Sequence, residues 1–358
     1  MTALFEPLAL RGVTARNRIW VSPMCQYSVV ERDGVPTDWH LVHLGAFARG
    51  GAGIVLAEAT GVTPEGRISA HDTGIWNDAQ VAAWRRITDF AHTQGALVGL
   101  QLAHAGRKAS VWPAWGFAQR GTMPLADGGW PTVSASAVAF EGYAPPRALA
   151  LDELPGIVEA FRAGARRSLE AGFDLVEVHA AHGYLLHQFL SPLSNVRDDA
   201  YGGSLENRAR LLLEIVRAVR SEVGDDVPVL VRFSGTDYVD GGWDVEQTAI
   251  VAGWARDAGA DLFDISSGGL VSGVRIPVGP GYQVPLAESV ASEAGVPVST
   301  VGMITEAAQA AELVDSGRVE AVMLGRELLR DPHFPLRAAT ELGVELDYWP
   351  PQYLRARV

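Results

Sequence analysis

Eight short apolar runs rich in β-branched residues alternate along this chain with longer amphipathic ones. A strand that is followed by a helix re-enters its sheet in the same direction, so this order calls for a parallel sheet with helices packed outside it. The predicted strands run from Arg18 to Met24, Gly53 to Ala59, Leu97 to Ala103, Leu175 to Ala181, Pro228 to Ser234, Leu262 to Gly268, Pro297 to Gly302 and Ala321 to Arg326. The amphipathic runs between them include Asp78 to Gly95, Asp152 to Gly172, Ser204 to Gly224, Asp244 to Gly259 and Thr305 to Gly317. Each opens on a residue with N-cap chemistry and stops at a glycine. Eight such pairs favour a closed (β/α)8 barrel, the TIM barrel of the α/β class, over a doubly wound sheet. A length of 358 residues suits one such barrel with insertions, so a single domain over 1–358 is expected. Two segments fall outside the pattern. The connection 104–150 is far longer than an ordinary βα loop and holds Trp112, Trp115, Trp130 and Tyr143, so it reads as a capping insertion, either a structural cover or a lid. The tail 342–358, with Tyr348-Trp349-Pro350-Pro351-Gln352-Tyr353-Leu354-Arg355, is expected to pack against a neighbouring subunit.

Composition narrows the partners. A formal charge of −13 and a pI near 5.1 oppose binding to a phosphate backbone, so no nucleic acid is expected. No apolar run approaches the roughly 20 residues that cross a bilayer, and the first residues lack a basic stretch followed by an apolar one. A soluble, cytoplasmic protein is therefore expected. Cys25 is the only cysteine. It cannot form an internal disulfide, and zinc thiolate sites or iron-sulfur clusters need several cysteines.

In a barrel of this kind the chemistry sits where strands hand over to βα loops. Cys25, Gln101, His104, His179, His182, Arg232 and Gly325-Arg326 all fall there. Within His179-Ala180-Ala181-His182-Gly183-Tyr184, two imidazoles and a phenol follow one strand. They could be polar residues satisfied under a loop, donors to a substrate oxygen with a tyrosine proton source, or metal ligands. The last reading would make a metal-dependent barrel hydrolase and needs a third ligand, for which His104 or His187 is the candidate; no carboxylate stands at a nearby strand end. Tyr184 favours proton transfer. Ser266-Ser267-Gly268-Gly269, Val301-Gly302 and Leu324-Gly325-Arg326 put small residues and one arginine at the last strand ends, which predicts a phosphate-bearing ligand. At the first strand end Cys25 is either a packing residue or a reactive thiol. Arg107 and Lys108 read as solvated loop cations, with a preference for a phosphorylated nicotinamide as the alternative.

Several motifs in order resemble the Old Yellow Enzyme family, specifically its bacterial, thermophilic-like branch. They are Asn17-Arg18-Ile19, Ser22-Pro23-Met24-Cys25-Gln26-Tyr27, Gln101 to Lys108, the histidine pair, Phe189-Leu190-Ser191-Pro192 with Asn195, Arg197 and Asp198, Tyr201-Gly202-Gly203-Ser204 and Glu206-Asn207-Arg208. The resemblance implies a non-covalent FMN, with Ser22, Pro23, Met24, Cys25 and Ala59 along its ring system, Gln101 and Arg232 at its polar edge, and Gly302, Gly325 and Arg326 at its phosphate. It implies that NADPH or NADH reduces the flavin, which passes a hydride to the β-carbon of an α,β-unsaturated carbonyl or nitro compound. His179 and His182 would then bind the substrate oxygen, Tyr184 would protonate the α-carbon, Tyr27 would contact substrate, and Cys25 would tune the flavin. Cys25 and His182 mark the branch, since yeast and plant relatives typically carry threonine and asparagine there. Gln352-Tyr353-Leu354-Arg355 is similar to a tail whose arginine enters the neighbouring subunit's site in a homodimer. Ala356 and Arg357 depart from the Gly-Trp ending common there.

Overall fold

The computed structural model describes residues 2–357. Its centre is a closed barrel of eight parallel strands: β1 (Ile19–Val21), β2 (Ile54–Gly61), β3 (Leu97–Ala103), β4 (Leu175–Ala180), β5 (Val229–Ser234), β6 (Leu262–Ser266), β7 (Val298–Val301) and β8 (Ala321–Leu324). Closure is made by β8 on β1, in the register Val322↔Ile19, Met323↔Trp20 and Leu324↔Val21. All eight predicted strands are present. Several are shorter than read from sequence, because Ser22 to Met24, Ser267-Gly268 and Gly325-Arg326 leave the ladder to form the mouth.

The outer helices are α1 (Asp38–Arg49), α2 (Asp78–Thr93), α3 (Leu154–Glu170), α4 (Leu185–Leu190), α5 (Leu205–Val223), α6 (Val245–Asp257), α7 (Val284–Ala294), α8 (Ala307–Asp315), α9 (Arg326–Arg330) and α10 (Phe334–Glu341). Side-chain caps start α2 at Asn77, α5 at Ser204 and α6 at Asp244, each accepting a backbone N–H three residues on. Two expected starts move. Asp152 lies in a 3-10 turn that feeds α3 at Leu154, and α8 begins at Ala307, beyond Thr305.

The barrel interior is layered by the period-2 alternation of its strands. At the bottom Trp20, Ile54, Leu175, Leu230, Leu262 and Met323 form an apolar layer. An N-terminal hairpin, Leu8–Leu10 with Val13–Ala15, packs beneath it. Two residues further along the strands, Glu177, Arg232 and Asp264 form a buried charged layer. Two more bring His179, Ser234 and Ser266 to the rim. One face of β4, β5 and β6 thus passes from apolar packing to charge to chemistry.

Outside the barrel, the 104–150 connection contains 3-10 turns at Gly106–Lys108 and Leu125–Asp127 and the short pair Val133–Ser134 with Arg147–Ala148. Tyr348 in the tail packs on its own chain: its hydroxyl accepts a hydrogen bond from Asn17 Nδ2 at 3.0 Å and its ring lies 4.6 Å under the Arg16 guanidinium. No helix among the described residues is long and apolar enough to cross a membrane. Leu230→Ala should cost about 2–5 kcal/mol, because the bottom layer is closed on every side and cannot collapse into the void. Urea denaturation measures this, and a loss below about 1 kcal/mol would contradict the layered packing.

Candidate active site

β4 hands over to α4 through a turn that holds His182 at φ +58°, a region bulky residues avoid. Three contacts of its own fix it there. Its N–H donates to Ser234 Oγ at 2.9 Å, its carbonyl accepts Lys108 Nζ at 2.8 Å, and its Nε2 lies 2.8 Å from Ser266 Oγ. The next N–H, of Gly183, donates to His187 Nδ1 at 3.0 Å, while His187 Nε2 faces Asp237 Oδ1 at 3.0 Å. Both nitrogens of His187 are therefore occupied beneath the loop. His104 is also turned to backbone, accepting the Gly106 N–H at 3.1 Å. Neither is grouped with His179 and His182 in a metal-holding arrangement. Among the described residues no group of three or more His, Cys, Asp or Glu is arranged to hold a metal ion.

The ring centroids of His179 and His182 are 5.2 Å apart, and those of His179 and Tyr184 5.1 Å. Burial first, and then the charge of Arg232, holds both imidazoles well below the usual histidine range. Both are neutral at pH 7. His179 Nδ1 accepts the Ala181 N–H at 3.3 Å, which leaves its proton on Nε2. The direction of the His182 Nε2–Ser266 Oγ hydrogen bond follows the tautomer of that ring, and Ser266 Oγ also donates to Gln283 Oε1 at 3.3 Å. His179 thus keeps one N–H to donate. Burial also drives the Tyr184 phenol well above its ordinary value, so it holds its proton.

Tyr184 shares an apolar wall with Cys25, Tyr27 and Ala59. Tyr27 meets the insertion through an edge-to-face contact with Trp115, ring centroids 4.8 Å apart. Pro23 and Met24, half-buried, continue this wall toward β1. On the opposite side Arg232 Nε pairs with Asp264 Oδ2 at 2.7 Å and its Nη2 donates to Ser22 Oγ at 3.0 Å. Gln101 Nε2 donates to Glu177 Oε1 at 2.7 Å. Beyond Arg232 opens a cavity of about 310 Å³ whose lining includes Met24, Gly302, Gly325, Arg326 and Arg330. Gly302 has φ +129°, and a Cβ there would stand 2.9 Å from the Tyr282 ring. This glycine keeps the cradle open beside two arginines, which is what a phosphate group requires.

The structure thus gathers Ser22, Pro23, Met24, Cys25, Tyr27, Ala59, Gln101, His179, His182, Tyr184, Arg232, Gly302, Gly325 and Arg326 around one mouth. Arg355 stands apart, exposed on the 3-10 turn Pro351–Ala356. That turn packs through Tyr353 against His333 and Arg49.

Arg107 and Lys108 overturn their sequence reading as solvated cations. Arg107 Nη2 donates to Leu270 O at 2.7 Å. Lys108 Nζ donates to His182 O and Gly269 O, both at 2.8 Å, and lies 4.7 Å from the Phe140 ring centroid and 5.1 Å from that of Tyr184. Carbonyls and aromatic faces take the place of water around this ammonium. The only sequence signal is its position five residues past β3, in a run that also carries Gln101 and His104.

A sequence profile of the NADH:flavin oxidoreductase / NADH oxidase family matches residues 3–345. The chain belongs to the Old Yellow Enzyme family. It is a flavin-dependent oxidoreductase, with FMN as cofactor and a nicotinamide as reductant. An NADPH dehydrogenase of Geobacillus thermodenitrificans is 46% identical over 355 residues, covering 99% of this chain and 98% of that one. The solved Old Yellow Enzyme homologue of Zymomonas mobilis has a TM-score of 0.79 at 29% identity, covering 99% of this chain and 98% of that one. A 2-naphthoyl-CoA reductase in complex with 2-naphthoyl-CoA has a TM-score of 0.85 at 27% identity over 96% of this chain, which spans about half (52%) of that longer protein.

The caged Lys108 carries a pH signature. Burial pushes its ammonium from 10.5 down to about 8, so between these values the unfolded chain binds the proton that the folded one has shed. Stability owed to this site therefore rises with pH across that window. In urea denaturation, the stability of the native enzyme relative to Lys108→Met should increase from about pH 8 to about pH 10. A constant difference would contradict the buried cage.

Proposed function

We propose that this enzyme is an NADPH-dependent ene-reductase acting on activated alkenes. The observation that carries the reading is the convergence of two neutral imidazoles and a protonated phenol on the mouth that also holds the arginine-lined anion cavity. FMN fits the residues present: Ser22, Pro23, Met24, Cys25 and Ala59 would line its ring system, Gln101 and Arg232 would meet its polar edge, and Gly302, Gly325 and Arg326 would hold its phosphate. Bound there, FMN supplies hydride chemistry, taking a hydride from NADPH and giving it to the β-carbon of an α,β-unsaturated carbonyl or nitro compound.

The protein's own residues do the rest. His179 and His182 donate hydrogen bonds to the substrate oxygen, where negative charge develops as the hydride arrives. Because both rings are neutral, they stabilise that charge through N–H donation without giving up a proton, His182 in the tautomer that carries its proton on Nδ1. Tyr184 then delivers its proton to the α-carbon, and Lys108 beside its ring favours the phenolate that remains. Arg232 places a fixed cation where a cofactor rich in electrons needs one. Tyr27, with Trp115 behind it, contacts the substrate flank, and the 104–150 insertion acts as a lid. NADPH is favoured as reductant by the name of the relative at 46% identity, and a conjugated carbonyl substrate by the reductase solved with 2-naphthoyl-CoA. In a homodimer, the exposed Arg355 is assigned to the mouth of the neighbouring subunit.

The purified enzyme should be yellow, bleach with NADPH in the absence of oxygen, and recover its colour on adding cyclohexenone. Tyr184→Phe should slow that recovery by about 100-fold or more while leaving bleaching by NADPH within a few-fold of native. Equal losses in both half-reactions, measured by stopped flow, would remove Tyr184 from the proton-donor role.

A further inference from the structure

We propose that Glu58 is the positioning residue for Cys25: its carboxylate, braced by His40, holds the Gln26 amide and so fixes where the chain's single thiol stands at the barrel mouth. The need for such an anchor follows from the backbone. β1 ends at Val21, and no regular secondary structure follows until α1. The Ser22 N–H donates to Leu324 O at 2.9 Å and the Val29 N–H to His71 O at 3.0 Å. Between them the Gln26 N–H donates to Glu58 Oε2 at 2.8 Å, and the Cys25 thiol takes backbone hydrogen bonds from Ala59, the residue after Glu58 on β2, and from its own amide. The thiol and the amide that follows it are thus held from two adjacent residues of β2.

The anchor is itself held. Glu58 projects from β2 and is 3% exposed. Its other oxygen, Oε1, lies 3.1 Å from His40 Nε2. His40 Nδ1 accepts the Thr37 N–H at 2.9 Å at the start of α1, which places the ring proton on Nε2 and makes His40 a donor to Glu58. No arginine or lysine pairs with Glu58 among the described residues, so two N–H groups alone satisfy it. The Gln26 side chain completes the fixture, donating to Met24 O at 2.7 Å and accepting Trp39 Nε1 at 3.0 Å.

Glu58 contributes to the chemical state of Cys25 as well as to its place. The ionisable groups facing it are Glu58 from β2, Asp72 from the loop after β2, Tyr27 on its own segment and Tyr184 at the start of α4, with Tyr143 behind Tyr184 and Arg67 behind Asp72. Burial first, then Asp72 and Glu58, push the thiol up, so it stands in the mouth neutral and unreactive. The consequence for the cofactor rests on the reading that FMN lies against Cys25.

Because the chain has one cysteine, thiol chemistry reports this position alone. The test is the rate of iodoacetamide alkylation against pH on the full chain, with and without FMN, together with the flavin midpoint potential of the loaded enzyme. Glu58→Gln should shift the alkylation midpoint to lower pH and raise the rate at about pH 8 roughly 10-fold, one pKa unit's worth. Glu58→Asp keeps the charge but shortens the reach, so it should leave the midpoint in place and raise the plateau rate as Cys25 loosens. It also serves if Glu58→Gln does not fold. Folded variants with the native alkylation profile would overturn the proposal. A shifted alkylation profile with an unmoved midpoint potential would uphold Glu58 as the anchor and remove FMN from beside Cys25.

Discussion

Inside the closed barrel, one ion pair carries the arrangement of the mouth. The Arg232 guanidinium is 5% exposed and faces Asp264, which is fully buried, at 2.7 Å. Burying either charge alone would be severely destabilising; together, with Ser22 Oγ accepting a further Arg232 proton, they are tolerated. Asp264 stands on β6 and Arg232 on β5 in direct register, so the pair also ties neighbouring strands. The cation it secures adds to burial in holding His179 and His182 neutral, and it moderates the rise that burial and Asp264 impose on Glu177, the partner of Gln101. The histidines above and the carboxylate below thus both feel this one guanidinium.

The same strands that bury the pair also deliver the chemistry. Along β4, Leu175, Glu177 and His179 point inward in turn; along β5, Leu230, Arg232 and Ser234 do so; along β6, Leu262, Asp264 and Ser266. A one-residue slip in any of these strands would turn its polar residues out against the helices. The apolar bottom layer and its hairpin plug therefore protect function by holding register, although none of their residues reaches the mouth.

Much of this is legible in the sequence because buried parallel strands are near-continuous apolar runs and strand-end residues announce themselves by their chemistry. β3 has the ends its sequence predicts, and the histidine pair, Arg232 and the glycines fall where expected. What the sequence hides depends on partners that no local pattern records. α1 and α7 are counted among the eight pairs but not delimited, α1 because His40 takes the place of the usual Glu or Gln in its cap, and α7 because it opens on Val284-Pro285 with no side-chain cap. Lys108 reads as solvated because its burial comes from Phe140, His182 and Gly269, all distant in sequence. The seat of Tyr348 goes unread because its partners, Arg16 and Asn17, lie at the other end of the chain.

The central claim is that one rim holds FMN by its phosphate at Gly302, Gly325 and Arg326 and by its ring at the first strand end. Titration of the FMN-free chain with FMN and with riboflavin, which lacks only the phosphate, tests it most directly. Charge-assisted hydrogen bonds contribute about 1.5–3 kcal/mol each, so loss of the phosphate contacts should weaken riboflavin by at least about 100-fold. Arg326→Ala should erode the affinity for FMN and leave that for riboflavin unchanged. Equal affinity for the two flavins in the native protein would contradict the account.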